Sequence, residues 1–216
     1  MTLYDQIIEK IEHLEERKTK HYRAIAKSFK KSISELLMSK VYTLCEKLLD
    51  HKTLIETIVA YQIIYDQRKR YDEETITIFE KWTFSYIRDW WDCDDFMTHA
   101  FFEAMMRYPE KLSMIKEWVE HQEFAVRRSA AVILIVPAKR GLIPKELIFE
   151  ISNLLMQDEH YLVQKGYGWL LKEASIKYHD DVVKYLQEHV HKMTRTAFRY
   201  ALEKLPKEEK EALMLL

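Results

Sequence analysis

The feature that most restricts this chain is a helical hydrophobic period that runs with almost no interruption. Leu3, Ile7, Ile11 and Leu14 fall at i, i+4, i+8 and i+11, which is the stripe of one buried helix face. Leu54, Ile58 and Tyr61 resume the pattern. Residues that break helices are scarce, with 3 Gly and 4 Pro in 216 positions, which argues for short connections and against an all-β fold. With 48% hydrophobic residues the chain has material for a sizeable core and is not disordered.

Local signals mark the helix ends. Ser32 reads as the N-cap of a helix over residues 32–37. Asp72, Glu73 and Glu74 form an acidic helix start, where the macrodipole favours carboxylates. Pro109 and Pro144 suit first helical turns, and Gly141 suits a C-cap or turn. Helices of about 10–18 residues joined by short loops imply helix hairpins.

One internal repeat is visible. Placing Val126 on Val163 sets Arg128 on Lys165, Ala131 on Gly168 and Leu134 on Leu171. Each copy precedes a second helix, over residues 146–156 and 180–189. A period of about 37 residues belongs to helical repeats, and small residues at the Ala131/Gly168 position let neighbouring helices approach closely. The expected fold is all-α, a solenoid of stacked antiparallel helix pairs forming a single domain over residues 1–216.

Composition excludes several functions. Cys45 and Cys93 are too few for a disulfide framework, and no Cys/His spacing suits zinc, so neither a metal nor an organic cofactor is expected. The first residues lack the pattern of a signal peptide, and the longest apolar run, 130–138, is too short to span a bilayer. A cytoplasmic monomer without membrane contact is therefore the expectation. The formal net charge of −1 means that any nucleic-acid face must be a local concentration of Lys and Arg.

The least ordinary segment is Asp89-Trp90-Trp91-Asp92-Cys93-Asp94-Asp95. Neighbouring tryptophans on a helix point about 100° apart, so one can pack inside while the other faces a groove. Trp91 and Asp95, four apart, share a face. The segment resembles the Trp-Trp-Asp-x-x-Asp signature of AlkD-type DNA alkylation-repair glycosylases. Gln164-Lys165-Gly166-Tyr167-Gly168-Trp169-Leu170-Leu171-Lys172-Glu173 is similar to that family's Gln-Lys-x-x-Gly-Trp helix, and the start at Arg127-Arg128-Ser129 resembles a third element. Order and spacing agree from about residue 70 to 205, whereas residues 24–40 hold none of the Gly, Pro and Arg found in active members.

The resemblance implies a right-handed superhelix of HEAT-like pairs holding duplex or distorted DNA, independently of sequence, in a concave groove. It implies hydrolysis of the N-glycosidic bond of cationic N3- or N7-alkylated purines. Carried over by motif position, Asp95 is the catalytic carboxylate, Trp91 and Trp169 flank the deoxyribose, and Arg128 contacts a phosphate. Arg127, Lys165, Lys30, Lys31 and Arg195 extend a basic face from which phosphates are bound. Two alternatives stand beside this reading: a non-catalytic relative that binds DNA shape, and a helical-repeat scaffold for other proteins.

Overall fold

The computed structural model describes residues 1–216, and every regular element in it is helical. The chain divides into two compact units, Met1–Tyr86 and Ile87–Leu216. No helix is long and apolar enough to cross a membrane.

The first unit holds α1 (Leu3–Glu12), α2 (Thr19–Ser28), α3 (Lys30–Ser34), α4 (Met38–Leu49), α5 (Leu54–Asp66) and α6 (Glu73–Tyr86). Thr2 and Asp5 close a capping box on α1, and Ile7 and Ile11 of the expected stripe are buried. In α5 the whole run from Thr57 to Ile64 is buried, as suits a central helix packed by α2 and α4. Asp72 caps α6 by accepting from the Thr75 backbone N–H at 3.1 Å, so the acidic start was legible. Ser32 caps nothing. It lies inside α3, and α4 begins behind Leu37, which has no capping side chain.

The second unit continues with α7 (Trp90–Phe96), α8 (Phe102–Arg107), α9 (Ile115–Trp118), α10 (Phe124–Val132) and α11 (Ile135–Arg140). It ends with α12 (Lys145–Leu154), α13 (Tyr161–Ala174), α14 (His179–His189), α15 (Arg195–Ala201) and α16 (Lys207–Met214). A π-helical turn, Met97–Phe101, joins α7 to α8 without a loop. Helices α7, α10, α13 and α15 pack side by side in that order, and α11, α12 and α14 pack against α13. The internal repeat maps onto α10 and α13, followed by α12 and α14 as their second helices.

Small residues set the spacing of this row. A Cβ on Gly168 would sit 2.7 Å from the Ala197 carbonyl oxygen and 2.8 Å from the Tyr200 Cβ, so α13 and α15 meet where Gly168 has no side chain. Gly141 ends α11 in the left-handed region at φ 67°, the C-cap expected of it. Gly168→Ala therefore overpacks a backbone contact that cannot rotate away. The expected loss is about 1–3 kcal/mol, read as a fall in melting temperature of roughly 2–4 °C per kcal/mol. An unchanged melting curve would show that the two helices separate freely.

Candidate functional site

The segment that opens the second unit has a fixed helical phase. Asp89 is the N-cap of α7, and its carboxylate accepts from the Trp90 backbone N–H at 2.7 Å. Asp92 closes the capping box by accepting from the backbone N–H groups of Arg88, Asp89 and Cys93 at 2.9, 3.0 and 2.7 Å. Burial pushes the Asp92 carboxyl up to about 6, although those three N–H groups draw it the other way. Two of the four acids in this segment are thus spent on starting the helix.

The remaining two point to different places. Asp94 accepts two hydrogen bonds from Arg128, at 2.9 Å from Nε and 2.9 Å from Nη2. The third arm of Arg128, Nη1, donates to the Leu162 carbonyl at 2.5 Å. One guanidinium thereby ties α7, α10 and the first turn of α13 together. Arg128 is buried, and the Asp94 side chain keeps only 21% exposure. Burial raises the Asp94 carboxyl above the ordinary carboxylate value, and the guanidinium offsets part of that push.

Asp94 and Arg128 sit in an open cleft of about 470 Å³. Trp90 and Trp169 also line it, and Trp90 is half exposed. Tyr161, Lys165, Lys172 and Tyr200 complete the wall. Trp169 is steadied by its indole N–H, 3.4 Å from Glu173, and Glu173 is held by Lys204 at 2.7 Å.

The expected pair Trp91 and Asp95 does not line this cleft. The Asp95 carboxylate lies 3.2 Å from His99 Nδ1 one turn on, and its side chain is 11% exposed. Asp89 fixes the phase of α7, and neighbouring side chains on a helix point about 100° apart, so Trp90 and Asp94 line this cleft and Trp91 and Asp95 do not.

Of the expected phosphate contacts, Arg128 and Lys165 line the cleft. Arg127 is taken up elsewhere. It binds Asp158 at 2.5 Å and donates to the carbonyls of His121 and Gln122 at 2.8 and 2.9 Å, a tie between the start of α10 and the turn before α13. Arg195 is exposed and lies over the Phe198 ring, outside the cleft lining. Lys30 and Lys31 are exposed on α3 in the first unit. Tyr161 and Tyr200 were missed. The repeat held a signal for one of them, because the register that pairs Val126 with Val163 sets Tyr161 on Phe124, an aromatic residue at both helix starts.

A family model for the DNA alkylation repair enzyme matches residues 17–205. This chain belongs to that family. The match reaches well before residue 70, where the motif resemblance began, so the N-terminal region shares the family pattern despite its missing Gly, Pro and Arg. The structure is similar to that of a predicted DNA alkylation repair enzyme from Enterococcus faecalis, with a TM-score of 0.77 and 18% identity over 88% of this chain and 87% of that one. At that identity the likeness speaks to the fold. No curated protein matches the chain.

Within this family member the Asp94–Arg128 pair is a structural bond as well as part of the cleft. Arg128→Ala leaves Asp94 and the Leu162 carbonyl without their donor. A loss of about 3–5 kcal/mol is expected in urea unfolding, from breaking a buried pair on one side. Arg127→Ala, which leaves the similarly buried Asp158 without its partner, should cost a comparable amount. A negligible loss in either variant would show that its ion pair is not needed for the fold.

Proposed function

We propose that this chain hydrolyses the N-glycosidic bond of cationic N3- or N7-alkylated purines in duplex DNA, with Asp94 as the carboxylate that faces the deoxyribose. The observation that carries this reading is the placement of Asp94 in one cleft with two indoles, Trp90 and Trp169, and with basic side chains. Membership of the DNA alkylation repair family supports a role in repairing alkylated DNA.

The chemistry suits those groups. A purine alkylated at N3 or N7 already carries positive charge, so it departs without a general acid. Positive charge then develops on the sugar, in an oxocarbenium-like transition state. A carboxylate held in place stabilises that charge without reorganising. Both Asp94 oxygens accept from Arg128, yet each retains a further lone pair for a sugar cation or a water. Arg128 thereby orients Asp94 and favours its ionised form against the opposing push of burial. The negative faces of Trp90 and Trp169 favour positive charge nearby. The cleft is open, which matches a reaction carried out on a nucleotide resting against the wall instead of one enclosed by a deep base pocket.

A second reading is favoured by one detail. With both Asp94 oxygens bound to Arg128, the pair also serves a relative that binds DNA without cutting the glycosidic bond. Release of 7-methylguanine and 3-methyladenine from alkylated duplex DNA separates the two. The catalytic reading expects release by the wild type, loss of at least a hundredfold in Asp94→Asn with DNA binding retained, and little change in Asp95→Asn. Salt-sensitive binding without release would establish the non-catalytic relative. Loss in Asp95→Asn with full activity in Asp94→Asn would restore the original register.

A further inference from the structure

Three charged side chains are buried in this protein: Asp92, Arg128 and Glu173. Asp92 starts α7, and Arg128 joins three helices. Glu173 has neither duty. It lies in the last turn of α13, one turn after Trp169, and keeps 7% exposure. The macrodipole disfavours a carboxylate at that end of a helix. Burial disfavours it further unless it is paired and hydrogen-bonded. A carboxylate placed against both effects needs a reason.

Its partners supply one. Lys204, from the 3-10 turn Leu202–Lys204 that follows α15, donates to both carboxylate oxygens at 2.7 Å. Lys139 of α11 stands 3.7 Å away. The Trp169 indole N–H donates to Oε1 at 3.4 Å. Burial pushes the Glu173 carboxyl up, but Lys204, Lys139 and the indole outweigh it and hold the group below the ordinary carboxylate value. Of these three partners Trp169 alone lines the cleft. The two lysines hold the anion from outside the cleft, and the anion holds the indole.

We propose that Glu173 is a positioning residue for the reaction in the cleft, which fixes the Trp169 indole through its N–H and, as an anion, enriches the ring face that the sugar cation meets. This rests on reading the cleft as the site of base release. A half-buried indole turns about two side-chain bonds, and a bond at its N–H selects one orientation. Groups at a reacting centre lose most of their effect when displaced by about 1 Å. Hydrogen bonds in a setting of low dielectric polarise their donors, so a carboxylate on the N–H adds electron density to the ring. A richer ring attracts positive charge more strongly. Lys204 sets the direction of the carboxylate, and acts on Trp169 through it.

The test is single-turnover release of 7-methylguanine from an alkylated duplex by the full-length protein, beside a DNA-binding titration and melting curves. Glu173→Gln keeps an acceptor for the indole and removes the charge, whereas Glu173→Met removes both. The release rate is expected to fall roughly two- to fivefold in the first, the worth of one cation–aromatic contact at a partly exposed site. It falls roughly ten- to a hundredfold in the second, as for a misplaced group at the reacting centre. The dissociation constant for DNA stays within about threefold in both, so the loss lies in the chemical step. Lys204→Met leaves Glu173 in place, lowers the rate in the same direction, and decides the matter if Glu173→Met does not fold. A second readout follows Trp169 itself. In protein labelled with 5-fluorotryptophan, the fluorine signal assigned by Trp169→Phe moves in Glu173→Gln and in Lys204→Met, while the other tryptophan signals stay. Wild-type rates in those two variants, with release still lost in Asp94→Asn, would overturn the role of Glu173 and leave the reaction standing. So would a lower melting temperature with the rate and the Trp169 signal unchanged. A wild type that releases no base would overturn the reaction and this role with it.

Discussion

The second unit depends on one guanidinium. Arg128 sits buried at the junction of three helices, and its three arms reach the Asp94 carboxylate of α7 and the Leu162 carbonyl of α13. A buried cation is costly unless its donors find acceptors, and here each of the three guanidinium nitrogens makes a hydrogen bond. Gly166 leaves the space in which this side chain lies, since a Cβ there would come within 3.3 Å of the Arg128 Cγ. The same bond that joins consecutive repeats therefore orients the carboxylate at the cleft. The fold and the proposed chemistry thus share a single contact, carried by the row of helices and owing little to loops.

The phase of α7 decides what the cleft contains. Four acids lie within seven residues, and their roles are set by capping geometry: Asp89 and Asp92 start the helix, Asp94 meets Arg128, and Asp95 meets His99. The π-helical turn at Met97–Phe101 directly follows, and the Thr98 hydroxyl donates to the Asp94 carbonyl at 2.7 Å. Such local widenings of a helix often lie at functional sites, and this one follows the carboxylate proposed for the reaction.

Much of this was legible in the sequence, for identifiable reasons. The helical period, the acidic cap at Asp72, the cap at Gly141 and the small residue at Gly168 all act through neighbours close in sequence or through a repeat. Arg128, Lys165 and Trp169 share one cleft because their motif positions fall on neighbouring helices of the row. Which side chains of the Trp90–Asp95 segment face the cleft was not legible, because Asp89 and Asp92 are equally able to cap the helix. The Arg127 tie to Asp158 was not legible, because Asp158 lies in the turn between repeats, a contact that helical spacing does not reveal. Tyr200 joins the site only because α15 approaches α13 at Gly168, which is a matter of packing.

The central claim is that DNA meets the cleft formed by α7, α10, α13 and α15. Hydrogen exchange on the full chain, with and without an alkylated duplex, reads this directly. Slower exchange is expected in the first turns of α7 and α13 and along α15, with the outer helices α12 and α14 unchanged. Saturating DNA that leaves α7 and α13 as in the free protein, and slows exchange elsewhere, would contradict the account.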